Sequence, residues 1–201
     1  MKKLFLALIL MLPMLATAKN PVSAKYLRGG VPEENGVIVF RKSFSVPSMS
    51  TDKIYSTLYN YVNKSVIEPA IHEQRTRFLS DGKEDGLIVA RVEEYMTFTH
   101  VFLNLDQTRF IYQLQAKVDG NKVNLAISQI SYYYNEDRDG ANGITYKAEE
   151  WISDAEAVNK KGTKLYPRSG KFRIKTIDRV EDIFQKCMNA FEEGRKNVVE
   201  E

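Results

Sequence analysis

The sequence predicts an α+β domain in the order strand, helix, four antiparallel strands, helix, a β-α-β4-α layout. Three patterns carry that prediction. Between Leu87 and Tyr134 apolar and polar residues alternate over three long stretches, the last two joined by Asp119-Gly120-Asn121, a strong hairpin signal. Ile177, Val180, Ile183, Phe184, Cys187, Met188 and Phe191 recur at the spacing of one helix face. A shorter set, Ile54, Leu58, Tyr61 and Val62, does the same near the N-terminus.

Each element has its own boundary signals. Ile38, Phe40, Phe44 and Val46 alternate with Val39, Arg41, Ser43 and Ser45, a strand that Pro47 ends. Ser50 or Thr51 can cap the helix that follows, which runs to about Lys64. Residues 72–80 fit a short strand, and the run Asp81 to Gly86 is a turn. Strands follow over Leu87 to Phe102, Thr108 to Val118 and Lys122 to Tyr134. Ala148 to Val158 is a short helical stretch around Trp151. Residues 159–175 are a basic connector, and Asp178 with Glu181 resembles a capping box opening the last helix. Phe110, Tyr112, Leu114, Ala116 and Val118 share one sheet face, while Ile111, Gln113, Gln115 and Lys117 share the other. The helices should cover the oily face and leave the polar one to solvent.

The first residues are an address. Lys2 and Lys3 precede an apolar run from Leu4 to Leu15, and Ala16-Thr17-Ala18 supplies the small residues of a cleavage site. Residues 1–18 therefore read as a signal peptide. The apolar run is too short to span a bilayer, so no membrane span is expected after cleavage. The mature protein is expected in the periplasm or outside the cell. Residues 19–35, with Gly29-Gly30 and Pro32 and no periodicity, read as a flexible leader. A single domain then occupies 36–197.

Composition removes several classes of function. One cysteine cannot form an internal disulfide, and two histidines leave few ligands for zinc. Cys187 falls in the apolar stripe of a helix and reads as a buried thiol. The net charge of +3 is no signature of nucleic-acid binding, and nucleic acid is not expected as a partner. Charge is concentrated in one place: residues 160–179 hold eight cationic side chains against Asp178 alone, a net +7.

The chain resembles a known family at Gly36-Val37-Ile38-Val39-Phe40, Ser50-Thr51-Asp52-Lys53-Ile54-Tyr55 and Asp106-Gln107-Thr108-Arg109-Phe110-Ile111-Tyr112. The stretches Ala148 to Asp154 and Gly170 to Asp178 continue the likeness. The family comprises secreted proteins of Gram-negative gut anaerobes that carry a domain of unknown function with a TATA-binding-protein-like (TBP-like) fold. The resemblance spans roughly residues 35–192. It implies a curved antiparallel sheet with helices packed on one face. It brings no activity and no functional residues, and the fold name alone does not imply DNA binding.

Motifs with chemistry are sparse. Asn135-Glu136-Asp137-Arg138-Asp139-Gly140 matches the opening of a calcium loop, with Asn135, Asp137 and Asp139 as oxygen ligands, but Tyr146 stands where a bidentate Glu is required. A solvated turn explains the same residues, so calcium is the one cofactor considered and none is required. His72-Glu73-Gln74-Arg75-Thr76 lacks the second histidine of a zinc-peptidase helix, and His100 stands alone in a strand. Ser80-Asp81-Gly82-Lys83 lies in a turn without the partner motifs of a serine β-lactam enzyme. Glu93 and Glu94 point to opposite faces of a strand and cannot pair with each other as glycosidase acids.

Two surfaces remain. If the polar sheet face is open, Arg91, Gln113, Gln115, Asn124, Tyr132 and Tyr134 line a ligand surface. The connector offers Lys160, Lys161, Lys164, Arg168, Lys171 and Arg173 to an anionic partner, unless internal acids such as Glu149, Glu150, Asp154 and Glu156 absorb those charges. The expected function is a non-enzymatic extracytoplasmic binding or assembly module whose partner is an envelope protein, a glycan or a lipid headgroup. The alternatives are an envelope hydrolase with a site assembled from distant residues and a calcium-stabilised structural domain.

Overall fold

The computed structural model describes residues 22–70, 75–101, 104–135 and 142–199. The signal segment, His72, Phe102, Asp137 and Asp139 lie outside the described residues. A two-stranded ribbon, β1 (Glu33–Glu34) and β2 (Val37–Ile38), leads into β3 (Phe40–Ser45). Helix α1 (Thr51–Tyr61) continues as a π-helical turn, Val62–Ile67. Then come β4 (Arg77–Gly82), β5 (Leu87–Val101), β6 (Asn104–Asp119), β7 (Lys122–Tyr134) and β8 (Ile144–Lys147). The single-turn α2 (Asp154–Ala157) and the long α3 (Pro167–Val199) complete the chain.

The main sheet is antiparallel, in the order β3-β7-β6-β5-β4, with β8 also paired to β7. This is the β-α-β4-α layout, with one strand more than predicted. Gly120 makes the β6–β7 turn at φ +58°, a conformation that costs glycine little. Ser50 caps α1, its hydroxyl accepting from Lys53 N at 3.3 Å. Ile54, Leu58, Tyr61 and Val62 from α1 meet Ile177, Val180, Ile183 and Cys187 from α3 over the sheet residues Ile88, Ala90, Val92, Phe110, Tyr112 and Leu114. The core therefore lies on one face of the sheet, and the residues alternating with it face the other way. Burial pushes the Cys187 thiol up to about 12.

The alternation of β7 changes phase halfway. Val123, Leu125 and Ile127 are buried, but the next buried residues are Ile130 and Tyr132. The register to β6 shifts between Ile111 and Gln113, and Gln129 adopts φ +53°. This is a β-bulge, and its extra residue exchanges the two faces beyond it. The same break divides the outer edge of β7: β3 pairs with residues 122–127 and β8 with 131–134.

Two segments differ from their sequence prediction. Residues 22–35 do not form a detached leader. Val31 is buried, a 3-10 turn spans Ala24–Tyr26, and the Lys25 ammonium bonds Asp178 at 2.8 Å and Glu181 at 2.7 Å on α3. The connector is also shorter than predicted, because α3 starts at Pro167. Proline at a first helical position loses no hydrogen bond. Gly170, which reads as a breaker, fits inside the first turns because the Leu165 side chain fills the place of its missing Cβ, 2.8 Å away. Asp178 is consequently mid-helix and no cap.

Candidate functional site: the uncovered sheet face

Cross-strand register assigns the side chains to the face that the helices leave open. Ser43, Asn124, Lys117 and Leu87 form one row across β3, β7, β6 and β5. Arg41, Ala126, Gln115 and Val89 form the next, followed by Ser128, Gln113, Arg91 and Arg77. Of the predicted ligand residues, Arg91, Gln113, Gln115 and Asn124 thus share the open face. A shallow depression of about 320 Å³ lies among Arg41, Ser43, Gln115, Lys117 and Asn124. Ser43 Oγ donates to Asn124 Oδ1 at 2.7 Å, and Lys117 Nζ donates to Asp85 O at 2.6 Å.

Tyr132 and Tyr134 do not belong to this surface. The bulge at Gln129 turns them to the core side. Tyr132 is fully buried, with its hydroxyl 2.7 Å from Thr176 Oγ1, and burial raises its pKa. Tyr134 is half-buried, packs edge-on against Phe172, and donates to Asp106 at 2.7 Å.

Sequence reasoning missed the centre of the face. The Glu93 side chain is fully buried on the uncovered side, beneath arginines. Its Oε1 lies 3.2 Å from Arg109 Nη1 and 3.9 Å from Arg75 Nη1, and its Oε2 lies 3.5 Å from Arg91 Nη1. Thr76 stitches the Glu93 backbone in place, accepting from Glu93 N at 2.9 Å and donating to Glu93 O at 3.1 Å. Arg109 also lies over the Tyr133 ring. The alternation Arg75-Thr76-Arg77 was a legible hint. That Arg77, Arg91 and Glu93 come together depends on strand register, which local patterns do not specify. Glu94 does point to the opposite face, where it binds Arg179 bidentately at 2.7 and 2.8 Å.

The basic connector divides into two groups. Lys160, Lys161, Lys164 and Arg168 are exposed. Arg173 is not available to an outside anion. It is fully buried on α3 and donates to Tyr26 O, Leu27 O, Ile152 O and Asp154 Oδ1, all at 2.5–2.6 Å. Lys171 is committed to Asp106 and the Tyr134 hydroxyl. Helical spacing puts Arg173 on the buried side of α3 with Phe172 and Thr176, while Lys171 shares the flank of Arg168 and is held by Asp106 and Tyr134 of the sheet.

For catalysis the geometry offers little. A groove of about 680 Å³ between β3 and α3 is lined by Phe40, Ile177, Val180, Phe184 and Met188 and contains Asp178 and Glu181, both bound to Lys25. It holds no histidine, serine or cysteine. His100 is exposed near the β5–β6 turn. Among the described residues no three His, Cys, Asp or Glu side chains are grouped to hold a metal. Asn135, the described member of the calcium motif, has φ +59° and a buried Oδ1 without a hydrogen-bond partner among the described residues.

This architecture is the TBP-like α+β class: a curved antiparallel sheet with its helices on one face. The model of a domain of unknown function with TBP-like fold (DUF4468) matches residues 40–133. A DUF4468 family protein from Bacteroides ovatus is 34% identical, with a TM-score of 0.75, over 83% of this chain and 93% of that one. The chain belongs to the DUF4468 family. A TBP-like protein from Parabacteroides distasonis shares the fold at 20% identity and a TM-score of 0.66, over 81% of this chain and 97% of that one. Among proteins of curated function, none matches the sequence.

Proposed function

We propose that the protein is a non-enzymatic extracytoplasmic binding or assembly module that engages an anionic envelope component through its uncovered sheet face. The observation that carries this reading is the composition of that face. Arg41, Arg75, Arg77, Arg91, Arg109 and Lys117 lie there, with Glu34 and Glu93 among the acids paired to them. A surface with an excess of one sign attracts the opposite one and speeds encounter. The predicted signal segment supports an extracytoplasmic address.

Two pairs of variants test the reading on an anionic matrix. Arg41→Glu with Lys117→Glu is expected to abolish salt-dependent retention, whereas Lys160→Glu with Lys161→Glu leaves it in place. The reverse result would move the binding surface to the connector. N-terminal sequencing of the exported protein is expected to begin at Lys19; a chain retained in the cytoplasm with Met1 intact refutes the address.

A further inference from the structure

On the reading that the uncovered face is the binding surface, we infer that its ligand is a carboxylated glycan. Arg75, Arg77 and Arg91 are its carboxylate forks, and Glu93 is the buried counter-ion that positions two of them. The first argument is a cost that folding leaves in place. Arg77 and Arg91 are directly opposite each other on β4 and β5. Cross-strand partners sit about 5 Å apart at Cβ, and like charges there are destabilising. Glu93 cannot discharge all of this. Its single carboxylate is shared by Arg75, Arg91 and Arg109, and among the described residues no ion pair forms at Arg77. Arg91 uses Nη1 for both Glu93 and Arg75 O, and among the described residues its Nε and Nη2 have no hydrogen-bond partner. Two arginines at one cross-strand position, under-compensated on a solvent face, offer guanidinium forks for the two oxygens of an external carboxylate.

The second argument concerns what surrounds the arginines. Gln113 continues their row, and Gln115 and Asn124 follow in the next two rows, about 7 Å apart for alternate residues along a strand. A primary amide both donates and accepts, as a sugar hydroxyl does. The neighbouring depression is walled by Arg41, Ser43, Gln115, Lys117 and Asn124 around Ala126, and the apolar side chains of the adjoining rows, Leu87 and Val89, are partly buried. A lipid surface or an apolar peptide side chain would need an apolar anchor point. Exposed apolar residues such as Val37, Leu79, Leu105 and Ile144 are instead scattered over separate strands, and the large side chain exposed on the open face itself, Tyr95 opposite Arg109, carries a hydroxyl. An extended chain bearing both hydroxyls and repeated carboxylates fits a flat surface with cations at two places, Arg77/Arg91 and Arg41/Lys117.

Calorimetry on the full chain tests this with four probes: oligogalacturonate, its methyl ester, polyglutamate and phosphatidylglycerol vesicles. Oligogalacturonate is expected to bind, more weakly as salt rises, and the methyl ester at least about tenfold more weakly, since charge-assisted hydrogen bonds are the stronger ones. Arg77→Gln and Arg91→Gln should each weaken binding about tenfold. Arg168→Gln on α3 should not change it. Arg77→Gln should melt at or above the wild-type temperature, because it removes a like-charge pair, so its loss of binding cannot be read as unfolding. Equal binding of the methyl ester, or full affinity in Arg77→Gln and Arg91→Gln, overturns the inference. Polyglutamate or vesicles bound through Arg77 with oligogalacturonate ignored overturns the glycan while leaving the surface intact. Binding of none of the anions overturns both.

Discussion

Arg173 shows how far a single residue's role depends on what folds around it. In the sequence it is one of eight cations in a net +7 segment, and an outside anion is its obvious partner. Among the described residues it is the largest fully buried side chain, and it ties the N-terminal turn to the start of α2 through three carbonyls and Asp154. Arg173→Ala leaves those acceptors and a carboxylate without their donor. It is expected to cost on the order of 3–5 kcal/mol, the range for breaking a buried charge pair, read as a lower urea midpoint. Arg168→Ala, five residues earlier and exposed, should change stability by less than about 0.5 kcal/mol. The buried thiol of Cys187 was legible from helical spacing alone, because its neighbours at three and four residues are apolar. The burial of Arg173 was not, because its partners lie at 26, 27, 152 and 154.

At the scale of elements, the bulge in β7 decides which side chains a ligand can meet. Strict alternation from Val123 would put Tyr132 and Tyr134 beside Asn124 on the open face. One extra residue at Gln129 moves them into the core and aligns Tyr132 with Phe110, their rings 5.9 Å apart. Gln129 holds a left-handed conformation that costs a residue with a Cβ about 1 kcal/mol or more. Gln129→Gly is therefore expected to stabilise the protein by roughly 0.5–1 kcal/mol in urea unfolding. Deleting Gln129 should be tolerated in the same assay, since it removes the extra residue and leaves Ile130 and Tyr132 on the core face in strict alternation with Ile127. The strands, both long helices and the Gly120 turn were legible because each depends on local periodicity or local backbone chemistry. The bulge and the early start of α3 were not. The bulge is favoured by a distant fit, the split of the β7 edge between β3 and β8, and the helix start by the Leu165 side chain over Gly170, a contact five residues apart that no apolar periodicity marks.

For the whole molecule, the N-terminal segment is a latch on the last helix. The Asp178 carboxylate pays for partial burial but is held below its ordinary pKa of 3.8 by Lys25 and the Tyr26 hydroxyl, and Asp178 in turn raises Lys25 above 10.5. The depressed acid contributes stability that is present above pH 3.8 and lost as pH falls through its folded value. The raised ammonium contributes stability present below pH 10.5 and lost as pH rises beyond it. Amide exchange over residues 24–29 is expected to be slowest between about pH 4 and 10, after correction for intrinsic rates, and to accelerate in acid before β5 and β6 do. Protection that fails everywhere at one pH would show that the latch is no separate unit. The sequence by itself determined the secondary-structure order, the oily and polar faces of the central strands, and the absence of a complete local catalytic motif. All three follow from spacing of two to four residues. Only the tertiary structure decided that Glu93 gathers three arginines on the open face, that Arg173 belongs to the interior, and that the leader is docked. Apart from Arg91 with Glu93, those are contacts between residues 16 to 156 positions apart, and their free energy depends on register and burial that no local pattern encodes.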